Sequence, residues 1–277
     1  MSRFPAAARQ LVRQTRYQVL TVWRIPVAFF FTLALPLIML VLFNALFGND
    51  DVDTPQGTWA ASQFYTGGLA AFTAVSATYT NLANMVPIRR DEGVLKRWRG
   101  TPLPTSIYIA GFVLSAVVIA LIGVVLMLGL GWVAYDLEIE LAKMPAAVLT
   151  FIVGVSAFAA LGLALAAVVR SASSASAAAN ATLLPLAFLS NIFIPLGTDP
   201  PRWVEVVGDV FPLKAFAEAF QDCFNPFVDA PAFDWGALAF VAVWGAAGAI
   251  IAVTRFSWEP SGSAPRGRRS RRRAATG

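Results

Sequence analysis

I-R-R-D-E-G-V-L-K-R-W-R-G-T-P-L-P, residues 88–104, is a densely charged stretch set between two long apolar ones. A chain built this way leaves a membrane and re-enters it within a few residues. Read as a short helix, the stretch gathers Val94, Leu95 and Trp98 on one face through i,i+3 and i,i+4 spacing and turns Lys96, Arg97 and Arg99 elsewhere. Asp91 and Glu92 then occupy its first turn and the basic residues its last, the polarity a helix dipole favours. Gly100 would end it, and Pro102 and Pro104 would bar continuation. Two readings are open: an ordinary positively charged loop, or a docking helix that presents an apolar knob and charges to a soluble partner.

Of the 277 residues, 57% are hydrophobic and 13% charged, whereas a soluble domain carries about 25% charged residues. The charges cluster, leaving apolar runs longer than the roughly 20 residues that cross a bilayer. The composition predicts an all-α integral membrane protein. There is no His and one Cys, Cys223, which excludes a disulfide framework, a Cys/His zinc site and His-based acid–base machinery. Cys223 reads as an ordinary small side chain. No G-x-x-x-x-G-K-[ST] phosphate loop occurs, so the chain does not bind ATP by that route.

In chain order, residues 1–26 hold Arg3, Arg9, Arg13, Arg16 and Arg24 with no acid; Phe4, Ala8, Leu11, Thr15, Val19 and Val22 follow helical spacing. The pattern predicts an interfacial helix with its arginines toward anionic lipid. Residues 27–257 form a six-span membrane domain: about 27–47, kinked by Pro36; 62–86; 107–135; 145–169; 177–196; and 235–256. Residues 49–61 read as a polar loop. In the second span Ser62, Thr66, Thr73, Ser76, Thr80 and Asn84 recur at steps of three, four or seven. That stripe is either a helix–helix contact, the usual role of such residues in membranes, or one side of a substrate path flanked by Tyr65, Phe72 and Tyr79. Asn180 and Asn191 of the fifth span are expected to be hydrogen-bonded inside the bundle. Residues 197–234, interrupted by Pro200, Pro201, Pro212, Pro226 and Pro231, suit short helices dipping into the outer leaflet. The tail 258–277, with six arginines among residues 266–273, reads as disordered.

Charge orients the spans. The N-terminal segment, the turns after spans two and four and the C-terminal segment hold 18 of the 21 Lys and Arg, while the opposite loops hold 13 of the 16 Asp and Glu. The positive-inside rule then puts both termini in the cytoplasm. No ionisable residue lies well inside a span, although proton- and ion-coupled carriers place such residues at membrane depth. An ATP-driven machine would need its ATPase on another polypeptide, and the turn at 91–99 is where that partner could push.

On the 88–104 stretch, and on F-L-S-N-I-F-I-P-L-G-T-D-P-P-R-W-V-E-V-V-G-D-V-F-P-L-K-A-F-A-E-A-F at 188–220, the chain resembles the membrane subunit of ABC-2 type transporters, bacterial permeases of drug, lipid or polysaccharide export. The resemblance covers about residues 10–257. It implies a coupling helix between spans two and three made of Asp91, Glu92, Gly93, Leu95, Lys96, Arg97, Trp98 and Arg99, followed by Thr101 and Pro102, with Trp98 as apolar anchor and Arg97 or Arg99 as charge partners. It implies outer re-entrant helices between spans five and six, carrying Pro195, Pro201, Pro212 and Glu218. It implies a dimer of permease halves, each engaging a separate nucleotide-binding subunit that holds ATP and Mg, with no cofactor on this chain. The substrate path would lie between the halves, with spans two and five near the dimer contact, and Thr66, Thr73, Ser76, Thr80, Asn84, Asn180 and Asn191 as candidates for either the path or that contact. The location implied is the bacterial plasma membrane.

Other classes fit less well. A membrane scaffold or assembly subunit would share the topology without nucleotide-dependent activity. An intramembrane enzyme would need a nucleophile beside a base, and the Ser and Thr residues have no His near them. A channel would show a ring of charge. The arginine tail suits anionic lipid better than nucleic acid.

Overall fold

The computed structural model describes residues 4–24, 30–48, 50–54, 57–93, 105–169, 171–195 and 201–255. The proposed disordered tail, and Leu95 to Pro102 of the proposed coupling helix, lie outside them.

Helix α1 (Phe4–Arg24) leads to a π turn at Phe30–Ala34 that runs into α2 (Leu35–Phe47). Pro36, expected to kink this span, lies just after the π turn. It sits in the first turn of α2, which continues the helical π turn, and without an N–H it cannot bond back to that turn. Residues 49–61, read as a polar loop, contain an antiparallel hairpin of β1 (Asp51–Thr54) and β2 (Gly57–Ala60), with Val52 opposite Trp59. The strands alternate: Val52 and Trp59 are buried while Asp51, Asp53 and Thr58 are exposed.

A nearly continuous rod comes next: α3 (Ala61–Val75), a π turn at Ser76–Thr80, and α4 (Asn81–Asp91). Then come α5 (Thr105–Ala134), α6 (Met144–Val168) and α7 (Ala172–Leu189). The short helices α8 (Arg202–Val210) and α9 (Pro212–Gln221) precede the last helix, α10 (Trp235–Arg255). Four helical segments among the described residues are long and apolar enough to cross a bilayer: Ile107–Ala134, Leu141–Val168, Ala172–Leu189 and Trp235–Arg255. Thr32–Phe47 is apolar but shorter.

The α3 half of the rod lies at the centre of the bundle. Nearly all of it is buried, against α2, α5 and α9. Close packing there depends on small residues. A Cβ on Gly123 of α5 would lie 2.6 Å from Thr73 Cγ2, and one on Gly131 would meet Thr66 Cγ2. Between α6 and α10, a Cβ on Gly245 would lie 2.8 Å from Ala157 Cα, and one on Gly248 would lie 3.0 Å from the Leu161 nitrogen. In lipid, such close backbone approach replaces the hydrophobic drive between helices.

Helix α1 departs from the interfacial expectation on one point. Gln14, Thr15 and Gln18 are buried and Leu11 half-buried, and the helix packs on α5, where Gly111 accommodates Gln14. The Leu11–Thr15–Val19 side therefore meets protein rather than lipid. Arg9, Arg13, Arg16 and Arg24 are exposed.

Candidate functional site

The charged stretch begins on the rod rather than after it. Ile88–Asp91 continue α4 by main-chain hydrogen bonds, Glu92 donates its N–H to the Ile88 carbonyl, and Gly93, at φ 69°, closes the helix. Asp91 and Glu92 thus stand at a helix C-terminus, not in the first turn of a new helix. The left-handed backbone at Gly93 turns the chain toward 94–104.

Arg90, part of the charged stretch but assigned no role from the sequence, is the focus of this end. It is 5% exposed. Its Nη2 donates to the Val169 carbonyl at 2.7 Å and its Nη1 to the Ala166 carbonyl at 3.3 Å, both at the C-terminus of α6. Asp91 Oδ2 accepts the N–H of Ala172, first residue of α7, at 2.9 Å, and Asp91 Oδ1 lies 3.9 Å from Arg90 Nε. Ser171 caps the same helix by accepting the Ser174 N–H. Arg89 and Glu92 form a second pair at 3.7 Å.

The π turn divides the polar stripe. One wider turn rotates the helix after it relative to the helix before it: α3 faces α2, α5 and α9, whereas α4 faces α6 and α7. Thr66 and Thr73 are fully buried, donate to the carbonyls of Ser62 and Leu69, and pack on α5. Theirs is a helix–helix contact. Ser76 opens the π turn, and Thr80 Oγ1 and Asn84 Oδ1 are buried with no hydrogen-bond partner among the described residues. Asn180 does not enter the bundle: it is exposed and bonds back to the Ser176 carbonyl. Asn191 lies beyond α7, which ends at Leu189, and takes φ 58°; its carbonyl accepts from Gln221 at 3.4 Å.

At the π turn, Tyr79 reaches α7, and its hydroxyl lies 2.7 Å from Thr182 Oγ1. Thr182 spends its own proton on the Ala178 carbonyl at 2.8 Å, so Tyr79 donates to Thr182 and keeps acceptor capacity. The pair lines an open groove of about 310 Å³ whose other walls, including Leu161, Leu165, Leu186 and Trp244, are apolar. The groove can hold an apolar body, with the Tyr79–Thr182 pair on its wall.

The far end carries carboxylates. Pro201 precedes α8 and Pro212 begins α9, while Pro195 lies in the turn between α7 and α8. Burial pushes Glu218 up to about 7, with Asp222, Asp209 and Asp234 adding to the rise and Lys214 opposing it. Burial likewise takes Asp222 to about 6, with Asp234 assisting and the Asn225 side chain and Lys143 opposing. Burial disfavours the charge of Lys214, but the hydrogen bond to Asp209 and the nearby Glu218 and Glu205 outweigh it and raise the amine. Lys143 is buried, donating to the Asn225 carbonyl at 3.0 Å and pairing with Glu140 at 2.7 Å. Gln221 joins α9 to α3 through the Phe64 carbonyl at 3.2 Å. Among the described residues no cluster of His, Cys, Asp and Glu is suited to a metal.

The family model for the ABC-2 type transporter matches residues 9–225. The chain belongs to that family. No curated protein matches it by sequence. As an ABC-2 permease it is the membrane component of an ABC transporter and a multi-pass membrane protein, and membership implies a partnering ATP-binding subunit.

Proposed function

We propose that this ABC-2 permease is the membrane half of an exporter with six spans and both termini in the cytoplasm. Four are the long apolar helices; the others are the α2 segment and the buried α3–α4 rod. Two halves, identical or related, would pair in a bacterial plasma membrane, each taking its stroke from an ATPase subunit that holds ATP and Mg. The cargo is a hydrophobic or amphipathic drug, lipid or glycan. We place its apolar part in the groove beside Tyr79 and Thr182, whose free acceptor favours a cargo carrying a hydrogen-bond donor.

The observation that carries this reading is the family match in a chain whose four long spans, among the described residues, hold only Lys143 and Arg255 of the Asp, Glu, Lys and Arg residues, both near span ends. Nothing at membrane depth supplies an ion-coupled drive, so the energy is drawn from a partner. The contact with that partner is assigned to Asp91, Glu92, Gly93, Leu95, Lys96, Arg97, Trp98, Arg99, Thr101 and Pro102.

The test is ATP hydrolysis by the chain co-expressed with an ATPase subunit and reconstituted in lipid. Co-purification, with turnover altered by Trp98→Ala or Arg97→Ala, supports the reading. If no ATPase subunit associates, or both variants turn over ATP like the wild type, the chain is a scaffold rather than a driven permease.

A further inference from the structure

We propose that Arg90 and Asp91 form a rigid strut that carries movement of the α4 end into α6 and α7 together, and so into two walls of the groove. The proposal rests on the exporter reading above.

Two adjacent residues cap two helices of opposite sense. The last carbonyls of α6 have no partner within their own helix and carry its negative pole; Arg90 meets one of them, Ala166, together with the carbonyl of Val169, the residue that follows the helix. The first N–H groups of α7 carry a positive pole, and Asp91 accepts one of them. The signs match at both ends, and Arg90 Nε lies 3.9 Å from Asp91 Oδ1, an ion-pair approach without a hydrogen bond.

Such a junction resists sliding. Helices that touch through apolar side chains can shift past one another by small steps. A buried guanidinium cannot leave its acceptors without being stranded in a poorly solvated site. The bonds end on main-chain atoms, so they fix the helices themselves rather than a rotamer. On α6, Leu165 and Val168 line the groove and sit next to Ala166 and Val169; on α7, Thr182 follows Ala172 along the same helix. A displacement of α4 therefore moves both walls as one body. Segment 94–104, assigned to meet the ATPase, leaves this same helix end through Gly93.

The experiment is hydrogen exchange on the full chain in lipid, alone and with its ATPase subunit, comparing wild type with Arg90→Gln, Arg90→Lys and Asp91→Asn. In the chain alone, Arg90→Gln should raise exchange at the amides of 169–175 while α3 keeps its protection, which establishes that the variant is folded. Asp91→Asn, which keeps an acceptor for Ala172, should change little, and Arg90→Lys should fall between. In the complex, ATP should alter exchange in 81–93 and 164–176 together for the wild type. In Arg90→Gln the second change should be lost, and transport per ATP hydrolysed should drop by about tenfold. Unchanged exchange at 169–175 in Arg90→Gln overturns the strut whether or not an ATPase binds. So does a joint ATP response that survives the substitution. Failure of the wild type to bind any ATPase subunit instead overturns the exporter reading.

Discussion

Glu218 shows how a single carboxyl sets the conditions under which the α9 end is stable. Its ordinary value of 4.5 rises to about 7 in the fold, so the folded state holds a proton that the unfolded chain releases. Stability from this group is present below about 4.5 and is lost as pH rises to about 7, the reverse of a salt-bridged acid. Asp222, raised to about 6, acts in the same direction. The thermal midpoint of the purified protein should therefore fall between pH 5 and pH 8, and Glu218→Gln should flatten part of that fall. A variant with the wild-type slope would show that Glu218 is solvated. At the π turn, Tyr79→Phe removes the donor to Thr182. It should cost about 1 kcal/mol of stability, the net worth of one hydrogen bond. Its larger effect should be on transport of donor-bearing cargo, read as flux in vesicles against an otherwise matched cargo lacking the donor.

Among the elements, α6 and α10 depend most visibly on a missing side chain. Gly245→Val would force a branched side chain against Ala157; it should destabilise the fold by about 1–3 kcal/mol as overpacking does, measured as a lowered unfolding midpoint in detergent. The legibility of each element depends on where its cause lies. Helices α5, α6 and α10 begin and end within about two residues of the spans read from sequence, because uninterrupted apolar runs stop at charges and prolines. The hairpin carries its period of two in D-V-D-T and T-W, but Asp51 and Asp53, with Asp50 just before them, make it read as a loop. The start of α7 lies five residues before the sequence expectation, since a serine–alanine tract does not announce that Ser171 is a cap. Nothing in S-A-T-Y-T marks a π turn, so the polar stripe looks continuous although its halves face different neighbours. Arg90 is hidden for a further reason: its partners are carbonyls 76 and 79 residues away, and main-chain atoms have no sequence signature.

For the whole molecule, the proposed six-span arrangement makes a prediction about sidedness. In a Cys223→Ser background, Asp53→Cys and Asp229→Cys, both exposed positions, should react with a membrane-impermeant thiol reagent added to intact cells. Glu92→Cys should react only after the cells are opened; the opposite pattern would invert the topology and remove the ATPase contact from the cytoplasm. The carbonyl ligands of Arg90 have a consequence at this scale too. Because the strut holds backbone, the side chains of α6 and α7 that line the groove are not part of the linkage, and they are free to vary without disconnecting the motor. Cargo preference and mechanical drive are thereby separable traits. A lineage could replace Leu161, Leu165 or Leu186 one at a time, acquiring a new cargo while the same engine runs on.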